Sequence, residues 1–229
     1  MRLKANVFTG VILCLQFVSS GATQQRSPAA VGVDWPTYRH DLAGTGYSPL
    51  SQIDTRNVAN LTQAWTFSLQ SDAPPAAAAG GRGGAGGGMK SEATPIVVNG
   101  VMYVTTANRV VALEPETGKE IWSYRLTGGA PSRRGVAYWP GQGADLPRII
   151  FTSGRRLIAL DARTGAIVAG FGKDGEVDLG IPYNSVPGIY RNVVVVGANT
   201  PPGTSGGIGN PRAFDARTGA KLWKADRSH

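Results

Sequence analysis

The sequence repeats one turn motif three times: LEPETGKEIW at residues 113–122, LDARTGAIV at residues 160–168 and FDARTGAKLW at residues 214–223. In each copy an apolar residue ends one strand, and an acidic residue and a Thr-Gly pair make a hairpin turn. An aliphatic pair or an aliphatic-Trp pair then begins the next strand. We expect Asp161 and Asp215 to hydrogen-bond the turn backbone, because an acid repeated at a repeated turn indicates architecture rather than catalysis.

A run rich in β-forming residues precedes each motif. The runs cover residues 95–105 with 110–113, residues 148–152 with 156–160, and residues 192–196. The glycines of successive motifs are 47 and 54 residues apart, and a period near 50 with about four short strands is typical of β-propeller blades. The sequence therefore predicts an all-β fold, in which Trp122 and Trp223 pack between neighbouring sheets.

The composition excludes several other classes of protein. The 229 residues include 32 Gly and 15 Pro, which argues against long helical bundles. A hydrophobic fraction of 41% against a charged fraction of 17% argues against general disorder. No apolar run reaches the ~18 residues of a membrane-spanning helix. The formal charge is +8, but the basic residues are scattered, so a nucleic-acid partner has little support.

The first 22 residues have the order of an export signal. Arg2 and Lys4 precede an apolar run over residues 7–18, and small residues follow it. We predict a signal peptide over 1–22, cleaved after Ala22, and a periplasmic protein that is free or associated with the membrane. The alternative is a short buried N-terminal helix. Cleavage would lower the formal charge from +8 to +6 and remove Cys14, the only cysteine.

Residues 73–88, APPAAAAGGRGGAGGG, carry almost no side chains that could bury apolar area. Such a stretch gains little in return for ordering its backbone. A phosphate-binding glycine loop is the alternative, but Met89 interrupts the required Gly-Lys step. We therefore predict a disordered loop at 73–88, inside one partial propeller domain over 23–229.

Further stretches resemble one family. They are DWPTYRHD at 34–41, GTGYSPL at 44–50, NLTQAW at 60–65, EATP at 92–95, RGVAYW at 134–139 and NSVP at 184–187. Together with the turn motif they resemble the quinoprotein dehydrogenases that use pyrroloquinoline quinone (PQQ), over about residues 34–227. That family has an eight-bladed β-propeller. The resemblance implies an N-terminal part of about three to four blades. Because three to four units cannot close such a ring, we expect a fragment of a longer enzyme.

The resemblance also implies cofactor-binding residues. PQQ is a flat quinone with three carboxylates, so its site needs cations and donors at the rim. Arg134 takes the place of a family arginine that contacts the cofactor, and Glu92 that of a carboxylate that hydrogen-bonds it. Asn184 and Ser185 resemble a polar pair that donates to a cofactor carboxylate. From the residues alone, a solvated pair with Arg133 is the favoured interpretation of Arg134, and a turn is an even alternative for Asn184-Ser185.

The resemblance further implies Ca²⁺ against the quinone, but it assigns no metal ligand. Residues 197–203, where alcohol-oxidising branches place a metal-binding Glu, contain no acid. Neutral oxygens of Asn199 and Thr200, or acids elsewhere, are the alternatives. The family's general base is a carboxylate that we expect beyond His229, so no catalytic residue is named. His40, in the opening motif, is interpreted as structural.

The function that the resemblance implies is hydride transfer from a hydroxyl substrate to the quinone, with ubiquinone or cytochrome c as electron acceptor. The stretch FGKDG at 171–175 resembles the glucose-oxidising branch, and the vicinal cysteine pair of other branches is absent. These features favour a sugar over an alcohol. An alcohol-oxidising enzyme, with or without a haem domain, is one alternative. A non-catalytic propeller of the same repeat, which binds other proteins, is the other.

Overall fold

The described part of the chain is built from β-strands. The computed structural model describes residues 34–70, 92–197, 199 and 210–225. The strands are β1 (Ile96–Val98), β2 (Val101–Thr105), β3 (Arg109–Leu113), β4 (Glu120–Arg125), β5 (Ala137–Trp139), β6 (Arg148–Ser153), β7 (Arg156–Asp161), β8 (Glu176–Asp178), β9 (Gly188–Tyr190), β10 (Val193–Val196), β11 (Arg212–Asp215) and β12 (Lys221–Lys224). One 3₁₀ turn, Val58–Asn60, lies in the N-terminal segment. The predicted signal at 1–22 and the predicted loop at 73–88 lie outside the described residues.

The strands form three four-stranded sheets in simple sequence order. Sheet A contains β1 to β4, sheet B contains β5 to β8, and sheet C contains β9 to β12. Neighbouring strands pair antiparallel throughout. Three successive four-stranded meanders are propeller blades, so the predicted all-β, partial-propeller fold is confirmed. Within the described ranges, no helix is long and apolar enough to cross a membrane.

Sheet B lies between the other two sheets, and its central strands alternate between two cores. Ile149 and Phe151 of β6 pack in one core with residues of sheet A such as Tyr103. Ile150, between them, packs in a second core with Val194 of sheet C. All six residues of β6 are buried. A strand covered on both faces reads as a continuous apolar run, which explains why RIIFTS shows no hydrophobic-polar alternation.

Tryptophans pack against the first two turn motifs. The Trp65 indole donates to the carbonyl oxygen of Pro115 at 2.9 Å, and that of Trp122 to the oxygen of Ala162 at 3.0 Å. Both rings lie against the turn glycine. A Cβ added to Gly165, which has a φ of +71°, would lie 2.5 Å from the Trp122 ring. The repeated glycine is therefore required both by the turn conformation and by the approaching indole.

The acidic residues of the second and third turns bind backbone, as predicted. Asp161 accepts from the N–H groups of Arg163 and Thr164 at 2.8 and 3.1 Å. Asp215 makes the equivalent pair of hydrogen bonds to the third turn, both at 2.9 Å. These carboxylates stabilise the hairpins, and the interpretation of the repeated acid as architectural is confirmed.

Two details of the repeat differ from the prediction. Ile167 and Val168 do not begin a strand: Ile167 makes an isolated bridge to Leu160, and the fourth strand of sheet B starts only at Glu176. The reason is that residues 169–175 turn back first, with Phe171 fully buried in the core shared with sheet C. Trp223 does not pack between sheets in the described part of the chain. It is 46% exposed, and no sheet follows β12 among the described residues.

Candidate functional site

Three segments share one position in the fold, immediately before the first strand of a sheet. Residues 92–95 lead into β1, residues 134–136 into β5 and residues 184–187 into β9. The first strands of sheets B and C contact each other. The meander topology thus brings to one place segments that are 40 to 90 residues apart in the chain.

Arg134 connects the first segment to the second. Its Nε lies 3.3 Å from Oε2 of Glu92, with both side chains about 60% exposed. The backbone continues the contact, because the N–H of Thr94 donates to the carbonyl oxygen of Arg134 at 3.3 Å. A Cβ on Gly135 would lie 2.9 Å from the oxygen of Thr94, so this approach requires glycine at 135. The ion pair is solvent-accessible and contributes little to stability.

Two buried hydroxyl groups connect the second segment to the third. Ser132 Oγ accepts from the N–H of Arg134 at 3.2 Å and donates to the carbonyl oxygen of Asn184 at 3.0 Å. Thr152 Oγ1 donates to the carbonyl oxygen of Ser185 at 3.0 Å. Asn184 is exposed and Ser185 is half-buried. The hydroxyls therefore bind the backbone of this segment.

All four residues predicted to bind a cofactor lie in this cluster of segments. The cluster also contains Ser132 and Thr152, which sequence reasoning missed. Ser132 lies in a loop and Thr152 in a strand, and small polar residues in such places give no signal of their own. His40 lies apart from the cluster's contacts and packs against Trp35, with ring centroids 5.0 Å apart. This contact agrees with the structural interpretation of His40.

The described residues contain no group of three or more His, Cys, Asp or Glu side chains placed to hold a metal ion. Asn199, one of the two neutral oxygen donors considered above, is half-buried, and Thr200 lies outside the described residues. The structure therefore adds no metal ligand to those considered from the sequence.

Comparison with known proteins shows the family of the chain. Residues 35–228 match the family described as "PQQ: Glucose/ethanol/alcohol dehydrogenase, beta-propeller domain". The chain belongs to the PQQ-dependent quinoprotein dehydrogenases. Members of this family use PQQ together with a divalent metal ion such as Ca²⁺.

Named quinoproteins of several kinds resemble the chain. The alcohol dehydrogenase (quinone) dehydrogenase subunit of Gluconobacter oxydans (strain 621H) is 35% identical over 83% of this chain and 24% of the relative. Quinohemoprotein alcohol dehydrogenase of Comamonas testosteroni is 35% identical over 87% and 26%. Quinoprotein glucose dehydrogenase A of Acinetobacter calcoaceticus is 30% identical over 89% and 29%. The chain thus spans about a quarter of the length of these quinoproteins.

Solved quinoprotein structures share the fold. The crystal structure of the Comamonas testosteroni quinohemoprotein alcohol dehydrogenase superposes with a TM-score of 0.61 and 31% identity, covering 84% of this chain and 27% of that one. A europium-containing methanol dehydrogenase superposes with a TM-score of 0.62 and 26% identity, covering 86% and 32%.

The cluster fits the chemistry of PQQ. An exposed guanidinium, an amide and a hydroxyl are three donors suited to a ligand with three carboxylates. They come from the two segments that precede β5 and β9, and these two strands contact each other. Glu92 supplies an acceptor beside them, at 3.3 Å from Arg134.

Proposed function

We propose that the protein containing this chain is a PQQ-dependent dehydrogenase of a hydroxyl substrate, and that Glu92, Arg134, Asn184 and Ser185 form part of the cofactor rim. The observation that carries the proposal is the cluster itself. Arg134 makes an ion pair with Glu92. The buried hydroxyl of Ser132 binds the backbone of both Arg134 and Asn184. The chain holds only part of the site, because its relatives are about four times as long.

Arg134 is the cation of the rim. Its planar guanidinium presents several N–H donors, which suit a carboxylate or a quinone oxygen. Glu92 Oε2 lies 3.3 Å from Nε in an ion pair, so it orients the guanidinium and leaves the terminal nitrogens for another acceptor. When bound, PQQ accepts the hydride that leaves the substrate carbon. A positive charge held at the rim stabilises the negative charge that this transfer creates.

Asn184 and Ser185 supply neutral donors at the opposite end of the cluster. Their carbonyl oxygens are hydrogen-bonded by Ser132 and Thr152. Asn184 is exposed and Ser185 is half-buried, so neither residue is closed off from solvent. Such donors hold an anionic ligand without adding net charge.

A sugar of the glucose type is the substrate that we propose. The support is the resemblance of FGKDG at 171–175 to the glucose-oxidising branch. Similar relatives are named both alcohol and glucose dehydrogenases, which makes ethanol the second substrate to test. We propose ubiquinone or cytochrome c as the acceptor of the electrons. Glucose oxidation by the intact enzyme, measured once with ubiquinone and once with cytochrome c as the electron acceptor, decides this point.

A periplasmic location completes the proposal. It rests on the signal-like order of residues 1–22, which lie outside the described residues. N-terminal sequencing of the exported protein should begin at or near Thr23. Recovery of the protein in the cytoplasm with residues 1–22 still attached would contradict it.

The test uses the full-length protein in its apo form. PQQ is added in the presence of Ca²⁺, binding is followed by quenching of tryptophan fluorescence, and glucose and ethanol are then assayed with a dye acceptor. We expect saturable binding, and Arg134→Leu should weaken it at least about tenfold because a charge-assisted hydrogen bond is lost.

Arg133→Leu is the matched control, since Arg133 is the exposed neighbour of Arg134. Its PQQ affinity should stay within about twofold of wild type, because it lies outside the cluster's contacts. Equal losses in the two variants would show a general charge effect and remove Arg134 from the rim. Absence of PQQ binding by the wild-type protein would support the non-catalytic scaffold instead.

A further inference from the structure

The two hydroxyl groups beneath the cluster are among the most deeply buried polar groups described. Ser132 is 3% exposed and Thr152 is fully buried. A buried hydroxyl without a partner is costly, and each of these has partners that belong to the proposed rim. Ser132 contacts the backbone of Arg134 and Asn184. Thr152 contacts that of Ser185.

The two hydroxyl residues and the segments that they bind form one connected hydrogen-bond network. The N–H of Ser132 donates to the carbonyl oxygen of Thr152 at 2.8 Å, which joins the two hydroxyl residues. A single oxygen, Ser132 Oγ, then joins the backbone of Arg134 to that of Asn184. Ser132 and Thr152 of the second blade therefore fix the distance between Arg134 and the Asn184-Ser185 pair. A shift of either hydroxyl residue would move both sides of the rim.

The segment before β9 depends on these side chains because β-ladder pairing does not reach it. Its other backbone hydrogen bond to sheet B joins the N–H of Tyr183 to the oxygen of Gly154 at 2.9 Å. Asn184 and Ser185 follow directly, and side-chain hydroxyls bind their carbonyl oxygens. Side-chain hydrogen bonds thus take the place of a strand partner here.

We propose that Ser132 and Thr152 are positioning residues for the cofactor: they set the distance between Arg134 and Asn184-Ser185, and with it the affinity for PQQ. This inference rests on the proposed function. Neither hydroxyl touches the ligand. They act on it through the segments that they hold, because donors must be pre-placed if binding is not to include the cost of ordering them.

The experiment uses the intact apo protein with PQQ and Ca²⁺ as the probe. Ser132→Ala and Thr152→Val remove one hydroxyl each, and Thr152→Ser restores it in a smaller side chain. We expect both removals to weaken PQQ binding about tenfold. Thr152→Ser should stay within about threefold of wild type, because the hydrogen-bond donor is retained.

Ser153→Ala is the control for burial. Ser153 is also buried and adjacent on the same strand, but its Oγ accepts from Arg156 rather than binding the rim. Its PQQ affinity should stay within about twofold of wild type, whatever its melting temperature. Correlation of affinity with melting temperature across all four variants would show a merely structural role and overturn the proposal.

Amide hydrogen exchange of the apo protein gives a readout without the cofactor. Ser132→Ala and Thr152→Val should each speed exchange at residues 183–187 while leaving β2 and β3 unchanged. If the wild type binds PQQ and both variants bind within about twofold of it, the positioning role is wrong and the proposed function stands. If the wild type does not bind PQQ, the proposed function fails first and this inference fails with it.

Should Thr152→Val not fold, Ser132→Ala decides the same question by itself. Its removal of one oxygen breaks the contacts to Arg134 and Asn184 together. Unchanged exchange at residues 183–187 in that variant would contradict the network directly.

Discussion

Arg148 donates a hydrogen bond from Nη1 to the carbonyl oxygen of Ala216 at 2.9 Å, and also to the adjacent oxygen of Arg217. Ala216 occupies the place in the third turn that Pro115 and Ala162 occupy in the first two, where each oxygen accepts from an indole. The second repeat has Ala169 where the others have Trp. At the third turn, the guanidinium of Arg148 therefore takes the place of the indole N–H that donates to the equivalent oxygen at the first two turns.

Arg148 is suited to this role by its surroundings. Its guanidinium carbon lies 5.1 Å from the centre of the Trp139 ring, and its side chain is 9% exposed. Burial lowers the pKa of Arg148, while the nearby carboxylates of Asp145 and Asp215 raise it. An arginine remains charged despite such a shift, so the hydrogen bonds to the turn are charge-assisted.

Arg148→Met should destabilise the protein by about 2 to 4 kcal/mol, because it removes the donors that join sheet B to the third turn. Guanidinium chloride unfolding measures the effect. Arg155→Met is the control, since Arg155 makes an exposed ion pair with Asp178 at 2.9 Å. That change should cost about 1 kcal/mol or less. Equal effects of the two substitutions would contradict the role of Arg148.

Gly165→Ala and Gly154→Ala separate backbone strain from tryptophan docking. Both glycines have positive φ, +71° and +58°, but a Cβ meets the Trp122 ring only at Gly165 and open space at Gly154. Gly154→Ala should cost about 1 kcal/mol for the left-handed conformation. Gly165→Ala should cost at least about 2 kcal/mol more, because the packed indole must move. Thermal melts that show equal losses would remove the steric argument.

Trp122 and Tyr103 share one acceptor. The carbonyl oxygen of Ala162 accepts from the indole at 3.0 Å and from the phenol hydroxyl at 3.1 Å. We expect Trp122→Phe and Tyr103→Phe each to cost about 1 to 2 kcal/mol. The double variant should lose more than the sum, since the buried oxygen then lacks both donors. Additive losses in a double-mutant cycle would show that the two donors act independently.

Asp215 should make stability depend on pH. Burial favours its neutral form, but hydrogen bonds from Thr218 and Arg217 outweigh that effect and hold its pKa below the ordinary value. A lowered folded pKa stabilises the protein above the unfolded pKa of about 3.9, and the contribution is lost as pH falls through the folded pKa. Asp215→Asn should therefore cost on the order of 1 kcal/mol at neutral pH and progressively less below pH ~4.

Urea unfolding at pH 7, 5, 4 and 3 gives this comparison. Glu116→Gln is the control, because Glu116 is an exposed acid of the first turn. The stability difference between that variant and wild type should be small throughout. A difference for Asp215→Asn that stays constant down to pH 3 would show that the charge of the carboxylate is not what stabilises the turn.

Much of the fold was predictable because its signals are local. Turn acids, turn glycines and strand pairs such as β6 and β7 depend on residues within about ten positions of one another. The short first strands β5 and β9 were not predicted, and neither was the delayed start of β8. Three-residue strands carry too little pattern, and the place of β8 depends on how Phe171 fills the core beside sheet C.

For the site, resemblance alone pointed to the four residues that we propose for the rim, and physical reasoning from the sequence left a structural alternative for each of them. Their convergence depends on three meanders that pack side by side. The buried hydroxyls of Ser132 and Thr152 emerged only from the coordinates, because their partners lie 52 and 33 residues away.

By itself, the sequence determined the repeating unit and the chemistry of its turns, because these follow from backbone conformation and short-range hydrogen bonds. Only the tertiary structure decided that Arg148 replaces an indole at the third turn and that Ser132 joins Arg134 to Asn184. Both are contacts between separate sheets, and their distances depend on how whole blades pack rather than on any local pattern.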